Sequence, residues 1–181
     1  MFATLRKSIV GLSVLAAVAA FGTGPALAQE NPPPKPIEIP CATNVSAQVL
    51  GATPIGDGSH TLVQARVIFA PGGSIGTHTH PGTLVVTVES GILGFTPIGD
   101  GEMTVNRVAT ADTEATNEPL PLGEETAVNP GDWFVETGMV HTGVNLSDGE
   151  TTVLISGLIE TGQPLTICTE DGATPMAHAR D

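Results

Sequence analysis

The sequence predicts an all-β domain, a small antiparallel barrel or sandwich, and three observations carry that prediction. Short runs rich in Val, Ile and Thr (VSAQVL, TLVQARVIFA, LVVTVES, MTVNRVA, ETAVN, DWFVE, VHTGVNL, TTVLISGLI, PLTIC) alternate with turn clusters such as GDG, PGG, NPGD and SDGE. None of them sustains a helical period. The 22 glycines and 15 prolines supply many tight turns, and the runs carry almost no charge, as strands with a buried face require.

Taken in chain order, residues 1–28 are expected to be a signal peptide. Arg6 and Lys7 precede an apolar stretch from Ile9 to Phe21, and Ala26-Leu27-Ala28 offers a small-x-small cleavage site. That stretch is short for a membrane span of about 20 residues, so no membrane association is expected after cleavage. A signal of bacterial style implies a secreted or periplasmic protein. Residues 29–44 include the proline-rich QENPPPKPIEIP, expected to be an extended spacer that contributes no core. The β domain is expected over 45–168, followed by a tail over 169–181.

After residue 28 the chain keeps all nineteen acids and only Lys35, Arg66, Arg107 and Arg180 as bases. Such a surface repels nucleic acid and anionic headgroups. The only cysteines are Cys41 and Cys168, too far apart for a CxxC motif, and in an oxidising compartment they are expected to form one disulfide. A bridge across so long a loop would stabilise the fold by roughly 3 to 5 kcal/mol.

The hexamer TPIGDG occurs at 53–58 and again at 96–101. The flanking residues diverge, so two hairpin loops are expected rather than a duplicated domain. Residues 109–127 are acidic and lack aromatics and bases. They are expected to form a solvated surface loop, with a lid over a cavity as the alternative.

Chemistry concentrates in two places. In GGSIGTHTHPGTLVVTVESG, His78 and His80 stand two apart, so a strand would project both from one face, and Leu84, Val86 and Val88 share that parity. Glu89 has the opposite parity and should point outward. In GDWFVETGMVHTGVN a third histidine, His141, follows a turn and a short strand. No GxSxG elbow, P-loop or dinucleotide fingerprint is present.

These two stretches resemble the paired motifs of the cupins. The first cupin motif is Gly-x5-His-x-His-x3–4-Glu-x6-Gly, matched over 72–91 by Gly72, His78, His80 and Gly91, with Leu84 where the glutamate belongs. The second is matched over 131–145 by Gly131, Gly138, His141 and Asn145, with a spacer one residue short and Glu136 at the proline position. The resemblance spans roughly 61–160. It implies an antiparallel cupin β-barrel (a jelly roll) with His78, His80 and His141 as ligands of one divalent transition metal. Iron(II) is the first choice, with manganese, nickel, zinc or copper as alternatives. Three imidazoles drawn from two distant strands suit an enclosed nitrogen site independently of that resemblance.

Glu136 is a candidate additional ligand, and parity alone leaves its direction open. Leu84, Val86 and Val88 are expected to line an apolar substrate pocket, with Phe69 and Trp133 as further wall residues. His60 and His178 fall outside both motifs and are expected to be exposed. With Leu84 in place of the glutamate, three neutral imidazoles would leave the ion's full charge for a chelating or anionic ligand. Three-histidine cupin sites imply an oxygen-dependent, dioxygenase-like oxidoreductase acting on a small organic substrate. The alternative is a non-catalytic periplasmic protein that binds or senses a metal or small ligand. A homodimer is expected from the same resemblance.

Overall fold

Alternating apolar residues and Gly/Pro punctuation produce twelve strands in the computed structural model, which describes residues 35–169. They are β1 Ile37–Glu38, β2 Ala42–Ile55, β3 His60–Thr79, β4 Gly82–Ser90, β5 Leu93–Ile98 and β6 Met103–Arg107. The remainder are β7 Thr116–Leu120, β8 Thr126–Val128, β9 Trp133–Thr137, β10 Val140–Asn145, β11 Thr151–Glu160 and β12 Ile167–Cys168. Every pairing is antiparallel, in the order β7-β6-β9-β4-β11-β3-β10-β5-β8, with β1, β2 and β12 attached beside this path. The all-β antiparallel class expected from the sequence is the observed one, and no helix occurs among the described residues. The signal-peptide expectation falls on residues outside the described ones.

Strand β3 organises the barrel. One of its edges pairs first with β11 (Thr151 opposite Phe69) and then with β10 (His141 opposite His78). The Pro71-Gly72-Gly73 cluster, expected to separate two strands, is instead the corner where one strand passes between these partners. A side chain at Gly73 would meet the Ala70 and Asn44 carbonyls at 2.7 and 2.8 Å, so only glycine permits this approach. Asn145 holds the corner from the other side: its amide donates to the carbonyls of Phe69, Ala70 and Gly149, and its oxygen accepts from Ser147 N and Thr151 Oγ1.

The core lies inside the roll and includes Val67, Phe69, Val86, Phe95, Phe134 and Ile155. The first TPIGDG copy closes the β2–β3 hairpin as expected, with Ile55 opposite His60. The second corrects expectation, because β5 and β6 leave it toward different partners and never pair with each other. Residues 109–127 contain β7, which pairs β6, and none of them lines the internal cavity described below. The proline-rich segment also departs from expectation, because Ile37 pairs with Ala47 and residues 37–40 line that cavity.

Candidate metal centre

The register places the three motif histidines together through one local irregularity. From Ile75 to His78 strand β3 spends three residues where β10 spends two, from Gly143 to His141. This bulge at Gly76-Thr77 shifts the inward parity of β3 from odd positions (Val67, Phe69, Ile75) to even ones, which turns His78 and His80 into the barrel. His141 is the cross-strand neighbour of His78, and their ring centroids lie 4.1 Å apart. His80 completes the group at 5.1 and 5.2 Å from the other two rings. One ligand atom from each converges within 4.8 Å of the others, and all three residues are buried.

Each ring is held by a backbone carbonyl on its Nδ1 side. His78 Nδ1 lies 2.8 Å from the Gly76 carbonyl, His80 Nδ1 2.6 Å from that of Leu165 and His141 Nδ1 2.9 Å from that of Met139. A carbonyl only accepts, so Nδ1 carries the proton and donates in all three. Burial holds the imidazoles neutral. It lowers His78 to about 4, with the neighbouring His80 adding to the effect, and lowers His80 and, further, His141 below the ordinary value. Every Nε2 therefore presents a lone pair to the centre of the group.

Glu136 occupies the remaining side. Strand β9 alternates Phe134 and Glu136 inward against Trp133, Val135 and Thr137 outward, which settles what sequence parity left open. Its Oε1 lies 3.2 Å from His80 Nε2 and its Oε2 3.3 Å from His141 Nε2. Neither nitrogen has a proton to give, and Oε2 is buried with no hydrogen-bond partner. Burial alone raises this carboxyl to about 8. Glu136 is also the direct cross-strand partner of Leu84, so a carboxylate stands one strand away from the position where the cupin motif carries one.

Three neutral imidazole lone pairs whose ligand atoms lie within 4.8 Å of one another suit a divalent first-row ion by their chemistry, and the Glu136 carboxyl borders two of them, its Oε2 buried without a hydrogen-bond partner. Without a cation or a proton between them these lone pairs repel one another. The groups open onto an apolar cavity of about 300 Å³ whose walls include Phe69, Val86, Phe95 and Phe134. Its rim is formed by residues 37–40 and 164–166, where Ile37, Pro40 and Pro164 are exposed.

Of the expected wall residues, Phe69 and Val86 line the cavity. Leu84 and Val88 are fully buried in the core but do not line it: the Leu84 side chain packs over Gly157 of β11, its register partner. Trp133 is a correction, since β9 alternation turns it to the outer face, 38% exposed. His60 is exposed as expected, Glu89 points outward and pairs with Arg66, and His178 lies outside the described residues. Cys41 and Cys168 form the expected disulfide.

Sequence reasoning missed Phe95, whose ring lies 4.9 Å from that of His141. Its strand sits in GILGFTPIGDG, where the echo of TPIGDG drew attention to the turn, although the Leu93 and Phe95 alternation was available. It also missed the Leu165 carbonyl, which has no side-chain signature.

No family model and no curated protein matches the sequence. Among solved structures, the chain is similar to the polyketide cyclase RemF from Streptomyces resistomycificus at 19% identity, over 72% of this chain and 81% of that one, with a TM-score of 0.45. It is similar to KdgF from Halomonas sp. at 18% identity, over 67% and 86%, with a TM-score of 0.42. A cupin superfamily protein from Desulfitobacterium hafniense aligns at 14% identity over 64% and 78%, with a TM-score of 0.40.

Proposed function

We propose that this chain is an exported cupin that holds one divalent first-row metal ion through Nε2 of His78, His80 and His141 and the carboxylate of Glu136. The cavity these groups line would take a small, mostly apolar organic molecule. Glu136 carries this reading: a wholly buried carboxyl whose oxygens lie 3.2 and 3.3 Å from two nitrogen lone pairs is costly unless a proton or a cation joins them, and an ion held by the three imidazoles would supply that cation. Export is supported by the Cys41–Cys168 disulfide, which belongs to oxidising compartments. Apolar Val85, Trp133 and Val135 on the outer face of β4 and β9 offer a surface for the expected homodimer.

When bound, a divalent ion would supply Lewis acidity toward an oxygen donor of the ligand, and iron(II) would add oxygen-dependent redox chemistry. The chain's own residues do the rest. The Gly76, Leu165 and Met139 carbonyls fix the rings with Nε2 forward, and the apolar walls exclude water from the bound ligand. Glu136 alters the charge expected from Leu84, because a carboxylate beside a doubly charged ion leaves a formal charge of about +1. A single anionic oxygen, such as an enolate or phenolate, neutralises that charge.

No Lys or Arg lines the cavity among the described residues: Arg66 is engaged with Glu89, and Arg107 with Glu118 and Asp132. A second anionic group on the ligand would thus be buried unpaired, and the reading favours one donor end on an apolar body.

Within this reading the site belongs either to an oxygen-dependent oxidoreductase or to a binding protein. The binder is favoured by one observation: among the described residues, Glu38 at the exposed rim is the one titratable side chain lining the cavity beyond His78, His80, His141 and Glu136. The test is oxygen uptake by iron-loaded protein across thiols, β-diketones and phenols. Uptake with any of them that disappears in His141→Ala establishes the enzyme. Tight binding of the same compounds to zinc-loaded protein, with no uptake, establishes the binder.

A further inference from the structure

The end of β3 that carries two of the four donor groups is completed along one edge by the two ends of the domain. From Ser74 to His78 its other edge pairs with β10, while this one receives Ala42 of β2 opposite Ile75 and then Ile167 and Cys168 of β12 opposite Thr79 and His78. The C-terminal piece is slight, since β12 has two residues, whereas the N-terminal piece leads into the 14-residue β2, which begins at Ala42. They are joined by the Cys41–Cys168 disulfide, with Cα atoms 6.0 Å apart across a sequence separation of 127.

Each piece reaches a histidine. The Cys41 carbonyl accepts the Gly76 amide at 2.9 Å, and Gly76 in turn supplies the carbonyl that holds His78 Nδ1. Three residues before Cys168, the Leu165 carbonyl holds His80 Nδ1. The same two segments, 37–40 and 164–166, form the rim of the cavity. His141 takes its carbonyl from Met139, just ahead of β10, and has no link of this kind to either end. Two of the three imidazoles are thus linked by hydrogen bonds to the bridged ends, His80 directly and His78 through Gly76 of its own strand.

We propose that the Cys41–Cys168 disulfide is a positioning element of the metal centre, which orients His78 and His80 and closes the cavity rim, beyond any general stabilisation of the fold. The proposal rests on the metal reading above for its consequence, and on the hydrogen bonds alone for its mechanism. Both cysteines are exposed, so the bridge is open to reductant. A dithiol that supplies two electrons and two protons would convert it to two thiols and loosen the centre from one side. Retention of the ion then follows the redox state of the surroundings.

The imidazole Nδ1–H signals of the metal-free protein test the mechanism directly, by 15N-resolved exchange measurements on three preparations. These are the oxidised wild type, Cys168→Ser, and wild type reduced with a phosphine, which takes oxygen from one water as the two sulfurs take its protons. The expected result is exchange at least about tenfold faster at His78 and His80 with His141 unchanged. Equal acceleration at all three, or at none, overturns the proposal. The reduced wild type decides the matter if Cys168→Ser does not fold.

Release of zinc to a chelator is the second readout. It should quicken at least about tenfold on reduction, and equal rates in the oxidised and reduced protein overturn the proposal while leaving the metal reading intact. Oxidised protein that takes up no zinc overturns the metal reading, and the imidazole exchange still decides the positioning role. Arg107→Gln loosens a cluster that contributes nothing to the cavity and should leave imidazole exchange and zinc release as in the wild type. If it accelerates them as reduction does, the bridge acts only through overall stability and the proposal falls.

Discussion

Asp132 and Glu136 are both buried acids, four residues apart, one just ahead of β9 and one within it, and they stand in opposite electrostatic situations. Asp132 accepts from Arg107 Nη1 at 2.9 Å, from the Val108 amide at 3.0 Å and from the Asn129 amide at 3.1 Å. Burial pushes its pKa upward, but these donors outweigh burial and hold it below the ordinary carboxylate value. Glu136 has no donor, faces two imidazole lone pairs, and is raised to about 8 by burial. Burial is common to both, and the supply of protons and positive charge differs. A buried carboxylate whose lone pairs are already filled belongs to the architecture, whereas one set against other lone pairs calls for a proton or a cation.

Exchanging the two roles by mutation gives the largest expected effect. Asp132→Ala leaves Arg107 without its buried partner and should lower stability by about 3 kcal/mol, while the metal affinity of the folded fraction stays unchanged. Chemical denaturation together with chelator competition separates the two quantities. Glu136→Gln should do the reverse, with metal affinity falling at least about 100-fold and the metal-free fold losing no stability.

The pH dependence of the metal-free protein sharpens the contrast. Folded Glu136 keeps its proton up to about 8, whereas the unfolded chain releases it near the ordinary 4.5. Stability is therefore lost as pH rises through that interval. The buried imidazoles act in the other direction. Below their ordinary 6.5 the unfolded chain takes up protons that the fold refuses, down to about 4 for His78, so stability is lost as pH falls. Three histidines outweigh one glutamate below 6.5, which places the maximum near about pH 6.5. Denaturant midpoints measured from pH 4.5 to 9 should decline on both sides of it. Glu136→Gln should abolish the alkaline decline alone, a gain on the order of 2 to 4 kcal/mol at pH 9.

Moving the carboxylate across the strand pair gives a smaller effect. Because Leu84 and Glu136 are register partners, the double variant Leu84→Glu, Glu136→Leu should recover about tenfold of the affinity lost in Glu136→Leu. No recovery would mean that position 84 cannot reach the ion from beneath β11. The smallest change is expected at exposed His60, where alanine should leave metal content unaltered.

The spacing of His78 and His80 and the second-motif position of His141 were legible because strand alternation and motif distances are local properties. The inward face of β4 was legible for the same reason, as the burial of Leu84, Val86 and Val88 shows. Glu136 was legible only as a candidate, because its direction depends on how β9 registers against β4. The bulge at Gly76-Thr77 was hidden as well, since it exists only as a mismatch between β3 and β10. Trp133 was misplaced because the pleat of β9 sends Phe134 and Glu136 to the core and leaves Trp133 on the outer face. The rim could not be read from proline-rich composition, because Ile37 and Leu165 reach one cavity through strand pairings, of β1 with β2 and of β12 with β3.

The central claim is that His78, His80, His141 and Glu136 hold one ion together. Its most direct test is zinc binding by competition with a chromogenic chelator, on metal-free wild type, Glu136→Gln and His141→Ala, each shown to be folded under the conditions used. The account predicts one equivalent bound by the wild type and an affinity at least about 100-fold lower in each variant. Wild-type affinity retained in Glu136→Gln, or no stoichiometric binding by the wild type, would contradict it.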